Sequence, residues 1–215
     1  MIKAVLWDLD GTILDTTELI LESYRYAFRK VLKAEIDEKE TLANFGRTLF
    51  DAMNLYSPEN AETLIECYRE YNHKHHDKKI RPFPGIMDAL ANVRRRGFEQ
   101  AVVTSKTEWL SKRGLELFAL DGYIDEIIGF ESTKEHKPKG DPAIEAMKRF
   151  KIKPDEAIFV GDSSADEGCA KDAGVAFVAA LWGPNINFVE NCEAWAKIED
   201  PRDVLHLIPE KGPRI

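Results

Sequence analysis

The sequence of 215 residues predicts an α/β fold, with a parallel sheet as its core and a small helical domain inserted after the first strand. Two observations support this prediction. Short apolar runs alternate with segments of helical period, an order that is typical of parallel α/β sheets. From about residue 16 to residue 80 the alternation stops, and helical patterns continue without a convincing strand. A chain of this length can hold a core and a smaller insert, because single domains usually have about 50–250 residues.

Five short apolar runs are predicted as buried strands of the sheet. They comprise residues 4–7, 101–103, 127–129, 157–160 and 175–181. Helical segments separate the runs, so that the strands can lie parallel to each other in a Rossmann-like sheet core.

Capping residues mark several helices between these strands. An apolar helical period that begins at Ile86 ends at Gly97, which predicts one helix directly after the insert. Asp141 and Asp200 each precede a proline, which is the order expected of a capping residue and the first residue of a helix. Residues 164–167 have the composition of a capping box, which predicts a further helix start.

The interruption after the first strand is predicted to be a helical cap. An apolar face recurs from Ile20 to Val31, and Ser57 with the proline after it begins a second helix. Prolines stiffen the point where the chain returns to the sheet. We assign residues 16–80 to the cap, and residues 1–15 and 81–215 to the α/β core.

The net charge of the chain, −8 at pH 7, restricts its partners. Long-range repulsion lowers both the association rate and the affinity for nucleic acid and for anionic lipid. We therefore expect neither nucleic acid nor a membrane as a partner, and a phosphate-bearing ligand must meet local positive charge. The sequence does not give the oligomeric state.

Cysteine spacing and the N-terminal sequence indicate a reduced, cytoplasmic protein. Cys67, Cys169 and Cys192 are widely spaced and include no CxxC pair, so that we expect buried thiols rather than disulfides or a zinc site. The chain reaches the carboxylate of Asp8 before any apolar stretch long enough for a signal peptide, and no later run approaches the length of a membrane span.

Polar side chains follow several different predicted strands. They are Asp8 with Asp10, Thr104 with Ser105, Lys137 in an extended loop, and Asp162 with Asp166. Parallel sheets bind ligands outside the carboxyl ends of their strands, so that these groups are expected to share one crevice. Four carboxylates there would repel each other unless a cation were present, and an all-oxygen set favours Mg²⁺ over zinc or copper. The sequence therefore predicts a magnesium site.

Each acidic motif also has a plainer interpretation. The segment Asp8-Leu9-Asp10-Gly11-Thr12 could be an aspartate-rich turn after a strand, and the acidic turn at residues 161–166 could be an ordinary capped helix start. The presence of both motifs, in this order and after apolar strands, argues against that interpretation.

The motifs resemble those of a known superfamily. Four segments, Asp8-x-Asp10-Gly11-Thr12, Thr104, Lys137-Pro138 and Gly161-Asp162-x-x-x-Asp166, resemble the four motifs of haloacid dehalogenase phosphatases. The insert is similar to their small helical cap, and the match covers nearly the whole chain. Shorter segments around residues 83–85, 104–106, 173–174 and 182–183 resemble the phosphoglycolate phosphatase branch, which includes related pyrophosphatases.

The resemblance implies a nucleophile, an acid–base group and a metal site. Asp8 would attack phosphorus to form an aspartyl-phosphate, and Asp10 would protonate the leaving oxygen and later activate water. Mg²⁺ would be bound by Asp8, by the backbone carbonyl of Asp10 and by Asp162. Asp166 would bind the metal directly or orient its ligands.

The resemblance also implies phosphate-binding groups. Thr104, with Ser105 beside it, would hydrogen-bond the phosphoryl oxygens, and Lys137 would neutralise the nucleophile and the phosphate. The branch often has asparagine where Ser105 stands, which leaves the substrate open. In the cap, Arg47 could reach a second anionic group on the substrate, or could be a surface arginine.

His73, His75 and His76 could suggest a metal cluster, but they lie late in a polar helix. Histidine and lysine near the C-terminal end of a helix interact favourably with its dipole, so that we expect no metal there.

The expected function is therefore that of an enzyme, a Mg²⁺-dependent phosphatase that hydrolyses a small phosphorylated metabolite in the manner of phosphoglycolate phosphatase. Three alternatives remain. A sugar phosphomutase of the same superfamily would also use an aspartyl-phosphate, an inorganic pyrophosphatase would cleave an anhydride, and a noncatalytic regulator would keep only the fold. The regulator ranks last, because every motif residue is present.

Overall fold

A computed structural model of the chain describes residues 1–210. Its strands are β1 (Ala4–Trp7), β2 (Leu14–Asp15), β3 (Arg81–Pro82), β4 (Glu99–Val103), β5 (Glu126–Ile128), β6 (Ala157–Gly161), β7 (Ala176–Ala180) and β8 (Ala196–Ile198). Six of these strands form one parallel sheet in the order β5-β4-β1-β6-β7-β8. The predicted α/β fold with a parallel sheet core is confirmed.

Helices cover both faces of this sheet. The α-helices are α1 (Thr17–Val31), α2 (Glu38–Ala43), α3 (Leu49–Tyr56), α4 (Ala61–Lys79), α5 (Ile86–Arg95), α6 (Glu108–Leu117), α7 (Asp141–Phe150), α8 (Ser164–Asp172), α9 (Ile186–Asn191) and α10 (Val204–Leu207). Successive residues of β1 point to opposite faces, as in any strand. Val5 packs in one apolar cluster with residues of α5, α6 and α10, whereas Leu6 packs in the other with residues of α7, α8 and α9.

The five predicted strands are present, but the sheet has a sixth strand that the apolar runs do not predict. β8 lies at the edge of the sheet and pairs with β7. Its three residues include Lys197, whose side chain is exposed. A strand this short, with a charged residue in its middle, has no continuous apolar run.

Two helix starts differ by one residue from the sequence prediction. α7 begins at Asp141 itself, with Gly140 as the residue before it, so that the proline is the second helical residue. The capping box of α8 is formed by Ser163 and Asp166, which exchange side-chain and backbone hydrogen bonds in both directions. Asp200 is a capping residue as predicted, and it precedes a short 3-10 turn before α10.

The helices between β2 and β3 form a separate layer with its own apolar cluster. α1 and α4 pack against each other, and Tyr24 of α1 meets Tyr68 of α4 with ring centroids 5.3 Å apart. β2 and β3 pair antiparallel, so that the chain leaves the sheet and returns to it at the same place. The proposed division into a cap (16–80) and a core (1–15 and 81–215) puts this two-stranded pair at the junction.

The structure also bears on two expectations from composition. All three cysteines are free; Cys67 and Cys169 are buried, but Cys192 is partly exposed, contrary to the expectation of three buried thiols. Within residues 1–210, every helix is too short or too polar to cross a membrane.

The central strands bring the predicted site residues to one edge of the sheet. β1 lies between β4 and β6 and is parallel to both. The Asp8 backbone N–H donates to the Val160 carbonyl at 2.9 Å, which continues the ladder one residue beyond β1. Asp8, Thr104 and Asp162, which follow these three strands, therefore lie at the same carboxyl edge, where parallel sheets bind ligands.

Candidate active site

The turn after β1 puts Asp8 and Asp10 at the base of a cleft between the sheet and the cap. Gly11 has φ +91°, a left-handed conformation that residues with a Cβ atom adopt at a cost. A Cβ atom on Gly11 would also lie 2.6 Å from Asp162 Oδ1. Only glycine lets the turn bring the backbone this close to the Asp162 carboxylate.

Three buried carboxylates meet below this turn. Oxygen atoms of Asp8, Asp162 and Asp166 lie within 4.8 Å of one another, and the three side chains are almost inaccessible to solvent. The Lys137 ammonium lies between two of them, 2.6 Å from Asp8 Oδ1 and 2.7 Å from Asp166 Oδ1. The structure thus brings together four of the residues predicted from the motifs.

The electrostatics of this cluster favour an additional cation. Burial raises the pKa of Asp8, repulsion from Asp166 raises it further, and Lys137 offsets part of both effects. Burial, and then Asp166 and Asp8, also raise the pKa of Asp162 well above its usual range. Burial alone would lower the pKa of Lys137, but Asp166 and Asp8 raise it, so that Lys137 is charged. Three carboxylates and one ammonium leave negative charge, which a hard divalent cation bound by oxygen atoms would balance.

Asp166 is held more tightly than the other two acids. Its Oδ1 accepts from Lys137, and its Oδ2 accepts from the Ser163 backbone N–H at 3.0 Å and from Ser163 Oγ at 2.6 Å. Because both oxygens already have donors, Asp166 is suited to orienting the cluster.

Asn185 is a residue of this site that the sequence analysis missed. Its amide donates to Asp162 Oδ2 at 3.0 Å and fixes the orientation of that carboxylate. Asn185 follows β7, at the same edge of the sheet as the other site residues, and this position is the signal that could have identified it.

The Asp10 carboxylate lies apart from the three buried acids. Its Oδ1 accepts from Lys106 Nζ at 2.6 Å, and its side chain is one-fifth exposed. The sequence analysis had predicted Asp10 as a fourth acid of the cation site. That role remains a prediction, since the Asp10 carboxylate lies outside the group of three carboxylates and its Oδ1 is paired with Lys106. Lys106 was assigned no role from the sequence, although it directly follows the Thr104-Ser105 pair.

Thr104 and Ser105 have different surroundings. Thr104 is buried, and its hydroxyl accepts from the Lys106 backbone N–H at 3.2 Å. The Ser105 hydroxyl donates to the Gly46 carbonyl of the cap at 2.6 Å. Gly46 has φ +86°, and a Cβ atom there would collide with Ser163 Oγ, so that the cap touches the core directly above the site.

A cavity of about 500 Å³ lies between the cap and the core. Its walls contain six of the predicted site residues, namely Asp8, Asp10, Arg47, Thr104, Ser105 and Lys137. Lys106 and Arg69, which were not predicted, also line it, as do apolar cap residues such as Tyr24, Phe50 and Tyr68. Asp162 and Asp166 do not line this cavity; they meet Asp8, which does, in the buried acidic cluster.

The three histidines of α4 do not form a cluster. His73 packs edge-on against Trp109, His75 lies against Tyr71, and the Nδ1 atom of His76 forms a hydrogen bond with Asp77 Oδ1. His76 is fully buried. Among residues 1–210, the group that could share a metal ion is the acidic cluster at Asp8.

Known proteins match the chain over most of its length. The family model described as haloacid dehalogenase-like hydrolase matches residues 5–180. A protein of Caldanaerobacter subterraneus subsp. tengcongensis, provisionally named pyrophosphatase PpaX, is 42% identical over 181 residues, which cover 84% of this chain and 82% of that protein. Pyrophosphatase PpaX of Halalkalibacterium halodurans is 32% identical over 209 residues, which cover 97% of this chain and 94% of that protein.

A solved structure shows the same fold. A Lactobacillus plantarum protein, provisionally described as a phosphoglycolate phosphatase, has a TM-score of 0.88 at 22% identity and covers 97% of this chain and 100% of its own. The family model and the relative of 42% identity confirm the family and the enzyme class expected from the four motifs. The chain belongs to the haloacid dehalogenase-like hydrolase family.

Proposed function

We propose that this hydrolase is a Mg²⁺-dependent phosphatase that acts on a small phosphorylated metabolite through a phosphoryl group carried by Asp8. The observation that carries the proposal is the Asp8 carboxylate itself. It faces the cavity, it is held by Lys137 at 2.6 Å, and it belongs to an acidic cluster suited to a divalent cation. Phosphoryl transfer depends mainly on positioning and on charge stabilisation, and this arrangement provides both.

The residues present fit a bound Mg²⁺. Carboxylates of Asp8 and Asp162 and the backbone carbonyl of Asp10 would hold it, with Asp166 orienting them. When bound, the ion would neutralise the nucleophile and the phosphoryl oxygens.

The side chains around Asp8 would perform the chemical steps. An oxygen of Asp8 attacks phosphorus, the bond from phosphorus to the leaving oxygen breaks, and an aspartyl-phosphate forms. Lys137 favours the ionised form of Asp8 and faces the negative charge that develops on the phosphoryl oxygens, and the Thr104 hydroxyl can donate to one of them. Asp10 gives a proton to the leaving oxygen and then accepts one from the water that hydrolyses the aspartyl-phosphate.

A second candidate is an inorganic pyrophosphatase. The curated relatives described above carry that activity in their names. The cavity supports an organic phosphate instead, because about 500 Å³ with apolar walls offers more space and more apolar contact than inorganic pyrophosphate can use.

A substrate panel tests this proposal. The purified protein is incubated with phosphoglycolate, pyrophosphate, sugar phosphates, nucleotides and an aryl phosphate, with Mg²⁺ or with EDTA, and released phosphate is measured. We expect turnover of at least one phosphate compound that depends on Mg²⁺, together with an acid-stable, base-labile phosphoenzyme. Transfer of phosphate back to a sugar would instead support a phosphomutase, and a blank panel would contradict the phosphatase proposal.

A further inference from the structure

The two oxygens of the Asp162 carboxylate have different surroundings. Oδ2 accepts from the Asn185 amide at 3.0 Å. A Cβ atom on Gly183 would lie 2.5 Å from Asp162 Cβ and 2.7 Å from Oδ2, and a Cβ atom on Gly11 would lie 2.6 Å from Oδ1. Two glycines therefore let the backbone pack against this carboxylate from two segments, and the bond to Asn185 fixes the direction in which Oδ1 points.

The segment of residues 182–185, which lies between β7 and α9, also contacts the turn after β1. Trp182 Nε1 donates to the Thr12 carbonyl at 2.9 Å. A Cβ atom on Gly183 would lie 2.6 Å from the Gly11 carbonyl oxygen, so that the two backbones are in close contact. The segment thus joins the carboxylate described above to the turn that follows the proposed nucleophile.

Asn185 differs from Lys137, the other donor to this acidic cluster from a distant part of the chain, because it is uncharged. Lys137 pairs with Asp8 at 2.6 Å and with Asp166 at 2.7 Å, and its ammonium offsets part of their negative charge. The hydrogen bond from Asn185 orients Asp162 without adding positive charge. When ionised, Asp162 therefore offers its full charge to a divalent cation, whereas Asp8 shares its charge with Lys137.

We propose that Asn185 is a positioning residue of the divalent cation site, and that residues 182–185 hold Asp162 and the turn at residues 11–12 in the arrangement that binds the cation. Asn185 acts through Asp162. Without the amide donor the carboxylate can rotate, so that cation binding must also immobilise it and becomes weaker. This inference rests on the Mg²⁺ site of the proposed function and adds to it a residue outside the four motifs.

Cation binding measured without turnover tests this role. Titration with Mn²⁺, followed by the electron paramagnetic resonance of the free ion, gives the Kd of Mn²⁺, and calorimetry gives the Kd of Mg²⁺. Asn185→Ala removes the donor, and Asn185→Gln keeps an amide. Asn187→Ala is the matched control, because Asn187 is an exposed asparagine of α9 in the same part of the chain.

We expect Asn185→Ala to weaken the binding of both ions roughly 10–100-fold, the range expected for a partner that orients a metal ligand. Asn185→Gln should recover part of that loss, and Asn187→Ala should bind both ions as the unmodified protein does. Trp182→Phe removes the donor to the Thr12 carbonyl and keeps an aromatic ring. It should weaken cation binding by a smaller factor, because Trp182 acts on the turn rather than on a ligand.

Kinetics and thermal unfolding separate positioning from a purely structural role. In Asn185→Ala the deficit in kcat should narrow as the Mg²⁺ concentration rises, and the gain in Tm that Mg²⁺ gives should shrink. A lower Tm in EDTA with an unchanged Kd for both ions would assign Asn185 to the fold alone and overturn the proposal, as would an equal loss of affinity in Asn187→Ala. A protein that hydrolyses none of the substrate panel, but binds Mn²⁺ more weakly after Asn185→Ala, would contradict the proposed phosphatase and support the positioning role.

Discussion

Two aspartates that stand two residues apart in the same turn have different surroundings. Asp8 is 3% exposed and shares Lys137 with Asp166, whereas the Asp10 side chain is one-fifth exposed and pairs with Lys106. Burial and neighbouring charge decide what a carboxylate can do. At the scale of single residues, this difference supports the proposed roles of Asp8 as nucleophile and of Asp10 as acid–base group.

Asp8→Asn should abolish turnover and keep the fold. The amide has nearly the shape of the carboxylate but is not an anionic nucleophile, so that kcat should fall at least about 1,000-fold. Steady-state kinetics on the best substrate, with circular dichroism as a check on folding, measures this. Asp155→Asn, at an exposed aspartate of the core, is the control and should have normal activity. Near-native activity of a preparation free of deamidated protein would remove Asp8 from the role of nucleophile.

Asp10→Asn should separate the two half-reactions. An aryl phosphate has a leaving oxygen that needs little protonation, and it should still phosphorylate Asp8, whereas an alkyl phosphate should not. General acid–base catalysis contributes about 10²–10⁴-fold to the rate, so that hydrolysis of the aspartyl-phosphate should be slow with either substrate. Rapid-quench measurement should show a burst of aryl alcohol close to the enzyme concentration. Equal loss on both substrates without a burst would make Asp10 a structural residue.

At the scale of elements, the loop between α2 and α3 connects the cap to the site. It contains Gly46, whose carbonyl accepts from Ser105, and Arg47, which lines the cavity and makes no ion pair within residues 1–210. Closure of such a loop over a site can exclude water and complete substrate recognition. The cap side chains are therefore expected to select the substrate.

Arg47→Met should change substrate preference more than it changes general activity. If Arg47 meets an anionic part of the substrate, loss of its charge should reduce kcat/KM for that substrate roughly tenfold or more and leave an aryl phosphate nearly unaffected. Kinetics on both substrates, with Lys39→Met at an exposed position of the cap as a control, measures the difference. Equal effects on both substrates would argue against selection by the cap.

At the scale of the whole molecule, the acidic cluster links folding to pH and to the cation. The pKa values of Asp8 and Asp162 are raised in the folded protein, chiefly by burial. At pH values between the ordinary pKa of aspartate and these raised pKa values, Asp8 and Asp162 have lost their protons in the unfolded chain but keep them in the folded chain. The metal-free fold therefore loses stability as pH rises through this window, and the loss is complete above the raised values.

Mg²⁺ should therefore stabilise the protein more at pH 8 than at pH 5. At the higher pH the cation replaces protons that the cluster would otherwise need, whereas at the lower pH it must compete with them. Thermal unfolding with Mg²⁺ or EDTA at both pH values measures the gain in Tm, and Asp162→Asn should reduce that gain. A gain that is the same at both pH values would contradict the linkage.

Chelation of Mg²⁺ should also abolish activity, and Ca²⁺ should inhibit it, because calcium accepts looser coordination geometry than magnesium.

Much of the fold, and most of the residues that meet at the candidate site, follow from the sequence alone. Apolar runs predict five of the six strands of the parallel sheet, and the order of polar residues after those strands predicts which side chains share the sheet edge. Asp8, Thr104 and Asp162 each follow an apolar run, and parallel strands have their carboxyl ends at the same edge of the sheet. Their common location could therefore be predicted from the sequence. β8 could not be predicted, since a three-residue edge strand with an exposed Lys197 leaves no apolar run.

The tertiary structure alone decided how charges are paired and what lines the cavity. Lys137 and Asp8 are 129 residues apart in the chain, and Lys106 and Asp10 are 96 apart, yet each pair meets at 2.6 Å. Periodicity and propensity describe neighbours along a helix or strand, whereas ion pairs and burial depend on distances that arise when cap and core pack together. The motifs in the sequence therefore predict Asp8 as the nucleophile. Only the folded structure shows that Lys106 lies beside Asp10 and that Arg69 lines the same cavity.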